Sequence, residues 1–234
     1  MDRRQFILAS MAVTAPWPAR AGGHALVAVA TNFAKVAEGL LPAFTAATGY
    51  QITLSSGSTG QLYSQITNGA PYDAFLAADQ ARPALLEAAG LSRKRVTYAR
   101  GLLALMKADG VATEASLSED FAHLAIANPL LAPYGLAAKQ ALTELGQWER
   151  LSPRIVMGQN VGQAFALVAS GNAELGLVAL SYAREGAWDV PEGLYAPILQ
   201  DAVLLAQNEA AAAFLDHLAS EAQPAIRAAG YGAL

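Results

Sequence analysis

The stretch Leu26-Val27-Ala28-Val29-Ala30-Thr31-Asn32-Phe33-Ala34-Lys35-Val36-Ala37 passes from an apolar strand, through a short polar turn, into an amphipathic helix. The same order returns at Leu54-Ser55-Ser56-Gly57-Ser58-Thr59-Gly60, from Asn128 to Gly135, and at Met157-Gly158-Gln159-Asn160-Val161-Gly162. A helix start carries unpaired N–H groups and partial positive charge. Four such starts facing one gap would form a receptor for a small anion. None of the four turns contains Lys or Arg.

Outward from these turns, strands and helices alternate. Strands are expected near 26–30, 51–54, 74–77, 123–127, 154–157 and 175–179, with a long apolar strand at 96–107 interrupted by Gly101. Helices are expected near 33–47, 61–68, 83–89, 135–145, 162–170, 209–219 and 223–229; Pro42 is placed to kink or split the first. The alternation predicts an α/β fold of mostly parallel sheets flanked by helices, with ligands beyond the carboxyl ends of the strands. The chain restarts the pattern halfway, which predicts two lobes: 22–100 with 201–234 as lobe I, and 101–200 as lobe II. The crossings fall near Gly101 and near 199–203, and the terminal helices complete lobe I.

Composition excludes several classes. With 234 residues, 54% hydrophobic and 15% charged, the chain is neither disordered nor a nucleic-acid arm. It has no Cys, so thiolate metal sites and Cys nucleophiles are absent. His24, His123 and His217 show no metal-ligand spacing, so no metal is expected as a direct cation ligand. Residues 1–21 read as an export signal: Arg3-Arg4, an apolar run from Phe6 to about Ala15, and small residues at Ala19 and Ala21. Arg3-Arg4 with Phe6 fits a twin-arginine signal in part, and a Sec signal is the alternative. Without these residues the 15 basic and 19 acidic side chains fall to 12 and 18, which argues against nucleic acid or an anionic membrane as partner.

Within the turns, Thr31 and Asn32 offer two adjacent donors, and 55–60 supplies four hydroxyls with two glycines. Helix capping and a plain Ser/Gly turn account for the same residues. No GK[ST] follows, so this is not a P-loop, and no Ser sits between glycines as in a nucleophile elbow. Tyr134 and Val161 stand at the other two helix starts, where backbone N–H groups are the donors. Asp73 and Asp79 read as capping or lobe-packing groups, and the sequence does not place Arg82, Arg100 or Arg184. A cage of neutral donors suits a tetrahedral oxyanion without a proton. A protonated phosphate would lack an acceptor there, a mismatch of roughly 1–3 kcal/mol.

From Leu26 to Tyr231 the chain resembles the periplasmic molybdate-binding proteins of ATP-driven importers, in the type II solute-binding class. The resemblance rests on Ala30-Thr31-Asn32-Phe33, on 57–66 (GSTGQLYSQI), on Asn68-Gly69-Ala70-Pro71-Tyr72-Asp73 with Ala78-Asp79, on Pro133-Tyr134-Gly135 with 138–142, on Val161-Gly162-Gln163-Ala164, and on Leu175-Gly176-Leu177-Val178. It implies a two-lobed fold and an oxyanion held by Thr31, Asn32, Thr59 (with Ser58 as the neighbouring alternative), Tyr134 and Val161. It further implies no catalytic residues and no cofactor, molybdate or tungstate as ligand, an ABC permease in the inner membrane as partner, a periplasmic location and a monomer. Some members carry a Tyr hydroxyl where this chain has Ala179; Tyr134, Asn32 or Tyr182 would compensate, or the site is looser. The alternatives are the same scaffold with sulfate, thiosulfate or a carboxylate, and a hydrolase built on Ser58 and a distant His.

Overall fold

A computed structural model describes residues 23–183 and 185–234. The expected export signal and Arg184 lie outside the described residues. In chain order, β1 (His24–Ala30) leads into α1 (Thr31–Thr48), β2 (Gln51–Gly57) into α2 (Thr59–Thr67), and β3 (Ala74–Leu76) into α3 (Ala81–Ala88). β4 (Lys94–Gly101) is followed directly by β5 (Leu103–Lys107). Then come β6 (Leu124–Ala127), α4 (Pro133–Glu144), α5 (Trp148–Leu151), β7 (Ile155–Gly158), α6 (Val161–Ala169), β8 (Leu175–Ala179) and β9 (Trp188–Asp189). β10 (Ile198–Leu204), α7 (Glu209–Ala219) and α8 (Gln223–Ala228) close the chain.

The strands form two five-stranded sheets, β2-β1-β3-β10-β4 and β7-β6-β8-β5-β9. In each, four strands point one way. The reversed strand is β10 in the first sheet, antiparallel to β3 and β4, and β5 in the second, antiparallel to β8 and β9. The 96–107 run therefore serves both sheets, split at Gly101–Leu103. The return is complete by Ile198, because residues 199–203 already pair with β4 in the first sheet. That pairing shifts register between Gln200 and Asp201, a bulge that breaks the strand pattern of this segment.

Pro42 neither splits nor ends α1, which runs unbroken to Thr48. Pro42 and Glu38, whose carbonyl loses its partner, are both exposed, so the unpaired carbonyl is not buried. Gly49 then stops the helix with φ 74°, its N–H bonded to the Thr45 carbonyl. Under the first sheet, Val27, Val29, Phe33, Phe44, Phe214 and Leu218 share one core, which places α7 beside α1. A second core joins Leu105, Ile126, Ala138, Leu142, Ala164 and Val178 around the other sheet. Both sheets aim their βα turns at the junction between them.

Candidate functional site

Four helix starts meet at that junction. α1 and α6 touch there: a Cβ added at Gly162 would lie 3.6 Å from Thr31 Cβ. α2 reaches the loop before α4, where the Gly60 N–H donates to the Leu131 carbonyl at 2.9 Å. Gln61 of α2 also donates to Gln159, just before α6. Thr31 and Asn32 on one side, with Thr59, and Tyr134 and Val161 on the other, are thus brought to one place. Asn32, Thr59, Tyr134 and Val161 are buried, and Thr31 is half-buried.

The way these helices begin is unusual. α1 and α4 are preceded by Ala30 and Ala132, which have no side-chain acceptor for the first turn. Pro133 occupies the first position of α4, so the leading N–H of that helix belongs to Tyr134. α2 and α6 are capped by Ser58 and Asn160, yet both caps take the third-position amides, Gln61 and Gln163. The leading amides of Thr59 and Val161 remain ahead of those caps. None of the four helices has an acidic residue in its first turn to answer its dipole. The Thr59 hydroxyl accepts from the Ala78 N–H at 3.1 Å, so its own hydrogen is free to point elsewhere.

The other candidate side chains are already engaged. Ser58 Oγ donates to Gln61 Oε1 at 2.9 Å and accepts from the Gln61 amide, a capping box. Asn32 Nδ2 donates to Gln200 Oε1 at 2.9 Å and to the Tyr231 hydroxyl at 3.1 Å, leaving its backbone N–H as the outward donor. Tyr182, one of the groups expected to compensate for Ala179, donates its hydroxyl across the junction to the Thr31 carbonyl at 2.7 Å. Ser181 beside it donates to the Asn32 carbonyl at 3.2 Å. These bonds latch the second sheet's lobe onto α1. Asp73 accepts from the Leu26 amide, and Asp79 accepts from the Arg82 amide at the start of α3.

Cations near the donors are committed. Arg82 abuts Gly60, but it is paired with Asp79 and donates to the Leu130 carbonyl across the junction. Arg100 pairs with Glu192. The three histidines lie away from Ser58: His24 bonds Thr53, His123 faces Glu174 and His217 faces Glu221. Among the described residues there is no cluster of His, Cys, Asp and Glu able to hold a metal ion.

Behind the donors is a buried polar network that sequence reading missed. Gln200 joins Asn32, Tyr98 and Tyr134, while the Tyr231 hydroxyl donates to the Asn32 carbonyl at 2.7 Å. Burial holds the phenols of Tyr98, Tyr134 and Tyr231 well above their ordinary range, so the network is uncharged. The site consequently offers direction and number of hydrogen bonds rather than formal charge.

Residues 25–232 match the family model of bacterial extracellular solute-binding proteins. The chain is 44% identical over 224 residues to the molybdate-binding protein ModA of Rhodobacter capsulatus, covering 90% of this chain and 89% of that protein. It is 45% identical over 223 residues to ModA of Azotobacter vinelandii, covering 88% of each. The solved Azotobacter vinelandii periplasmic molybdate-binding protein superposes with a TM-score of 0.86 at 38% identity, covering 90% of this chain and 99% of that one. The chain therefore belongs to the bacterial extracellular solute-binding protein family.

Proposed function

We propose that this chain is a periplasmic receptor that captures molybdate, and tungstate with it, and delivers it to an ABC permease. The observation that carries the reading is the meeting of four helix starts, from two sheets, with uncapped leading amides and with the nearby Arg82 paired to Asp79. The oxyanion is held by the backbone N–H groups of Thr31, Asn32, Thr59, Tyr134 and Val161 and by the Thr59 hydroxyl, with Ser58 holding α2 in place. Identity above 40% to two proteins named as molybdate-binding supports the choice of oxyanion. The chain works as a monomer, without cofactor and without catalysis; Ser58 has no base and spends its hydroxyl on its own helix. Arg3-Arg4 directs export by the twin-arginine route.

In this reading the two lobes close about the crossings beside Gly101 and ahead of Ile198, and Gln200 moves with the first sheet. Ligand contacts to both favour the closed form by the difference in affinity between the two states. Titration calorimetry against molybdate, tungstate, sulfate, thiosulfate and acetate tests the proposal. Binding of sulfate or acetate in preference to molybdate, or of no oxyanion, overturns it.

Two substitutions probe the cage. Thr59→Val removes the hydroxyl and leaves the buried Ala78 N–H unpaired; molybdate binding should weaken by about 1.5–3 kcal/mol. An unchanged dissociation constant would reject Thr59 as a ligand. Tyr182→Phe removes one cross-junction bond and should weaken binding by about 1 kcal/mol, roughly fivefold, read by the same titration. Equal affinity for the two chains would remove Tyr182 from the closure latch.

A further inference from the structure

Gln200 is fully buried at the bulge of β10, among Ile198, Ala202 and Val203. Strand pairing does not require an amide there, and a buried amide is costly unless each of its groups is bonded. Each is. Oε1 accepts from Asn32 Nδ2 at 2.9 Å and faces the Tyr98 hydroxyl at 3.1 Å. Nε2 donates to the Tyr134 hydroxyl at 3.2 Å. Asn32 lies in the first turn of α1, against the first sheet; Tyr134 lies in the first turn of α4, against the second. One side chain thus spans the two lobes directly behind two proposed ligand amides.

Space for this contact comes from Gly101, at the first crossing. A Cβ there would fall 2.2 Å from the Tyr134 hydroxyl and 2.7 Å from Gln200 Nε2. Its φ lies outside the left-handed region, so the glycine is needed for room and not for backbone conformation.

We propose that Gln200 is a positioning residue for oxyanion capture, holding Asn32 and Tyr134 in register and locking Tyr134 into the crossing when the lobes close. Tyr134 then acts at both ends: its N–H meets the oxyanion and its hydroxyl docks on Gln200 beside Gly101. The inference rests on the molybdate-receptor reading. Opening separates Tyr134 from Gln200 while the bonds to Asn32 and Tyr98, on the first lobe, persist. The Gln200–Tyr134 bond therefore stabilises the closed state alone, and its loss acts on release more than on capture.

The test compares the wild-type chain with Gln200→Met, Tyr134→Phe (which keeps the backbone N–H) and the double variant. Molybdate affinity is taken from calorimetry, and association and release rates from stopped-flow intrinsic fluorescence. Each single variant should release molybdate about tenfold faster with association changed less than about twofold. The double variant should be no worse than Gln200→Met, because both changes remove one shared bond. The ligand-free melting temperature of Tyr134→Phe separates positioning from mere folding: it should stay near wild type while release quickens. Release at the wild-type rate in both single variants, or additive losses in the double, overturns the inference alone. A wild-type chain that takes up no molybdate overturns the receptor reading and this inference with it.

Discussion

Gly135→Ala should be among the most damaging single-methyl changes this protein can suffer. A Cβ at Gly135 would lie 2.2 Å from the Ala127 carbonyl oxygen and 2.8 Å from the Asn128 carbonyl carbon. Both belong to backbone at the end of β6, which cannot rotate aside as a side chain can. The start of α4 must lift off the sheet, and with it go Tyr134 and the buried face of Ala137, Ala138, Ala141 and Leu142. Overpacking of this kind costs about 3 kcal/mol, at the upper end of its usual range. In a chain of this size that lowers the melting temperature by roughly 6–12 °C. Molybdate affinity should fall as well, since the leading amide of α4 is displaced. Gly39→Ala is the control: it lies inside α1 with nothing within 4 Å of the added methyl, and should be neutral or stabilising by up to about 1 kcal/mol. Thermal unfolding followed by circular dichroism checks both. A Gly135→Ala chain melting within about a degree of wild type would mean that α4 does not depend on this close approach.

Alkaline solution should unfold the protein steeply. Tyr98, Tyr134 and Tyr231 are buried, and desolvation raises the pKa of each in the folded state. In the unfolded chain the same phenols ionise near pH 10. The folded state therefore binds up to three more protons above that pH. The stability they contribute is complete below about pH 10 and is lost as pH climbs towards the folded-state values. Each retained proton is worth about 1.4 kcal/mol per pH unit, so three together remove about 4 kcal/mol per unit. Denaturant melts between pH 8 and 12 in saturating molybdate, which keeps the lobes closed over Tyr134, with phenolate absorbance recorded in parallel, supply the check. Three of the eight tyrosines should ionise only as the chain unfolds, and Tyr134→Phe should reduce the slope by about a third. A flat stability profile from pH 9 to 11.5 would mean that these phenols are reached by solvent without unfolding.

Much of this architecture is legible in the sequence because its signals are local. An apolar run, a small polar turn and a 3.6-residue period lie side by side at Ala30-Thr31-Asn32-Phe33, and the helix there begins at Thr31. Gly101 divides the 96–107 run where the chain changes sheets. What stays hidden depends on distant partners. The reversal of β5 and β10 is fixed by strands far off in the chain, and nothing in Leu103–Lys107 or Ile198–Leu204 encodes direction. Gln200-Asp201 puts two polar residues inside an apolar stretch, and the partners that satisfy them lie far off in the chain: Asn32, Tyr98 and Tyr134 for the one, and Arg95, Thr97 and Gln80 for the other. Tyr182 carries no local mark of its bond to Thr31. Ser58 is different: Ser58 and Gln61 stand at capping-box spacing, so the spending of that hydroxyl on α2 was available from sequence.

The alanines ahead of α1 and α4 have a further consequence. Serine or asparagine at those two places would finish each helix internally, by about 1 kcal/mol apiece, and would leave the protein firmer when alone. Their absence makes the guest a structural component: selectivity and rigidity come from the same few amides, and neither can be raised by self-completion of the fold without lowering the other.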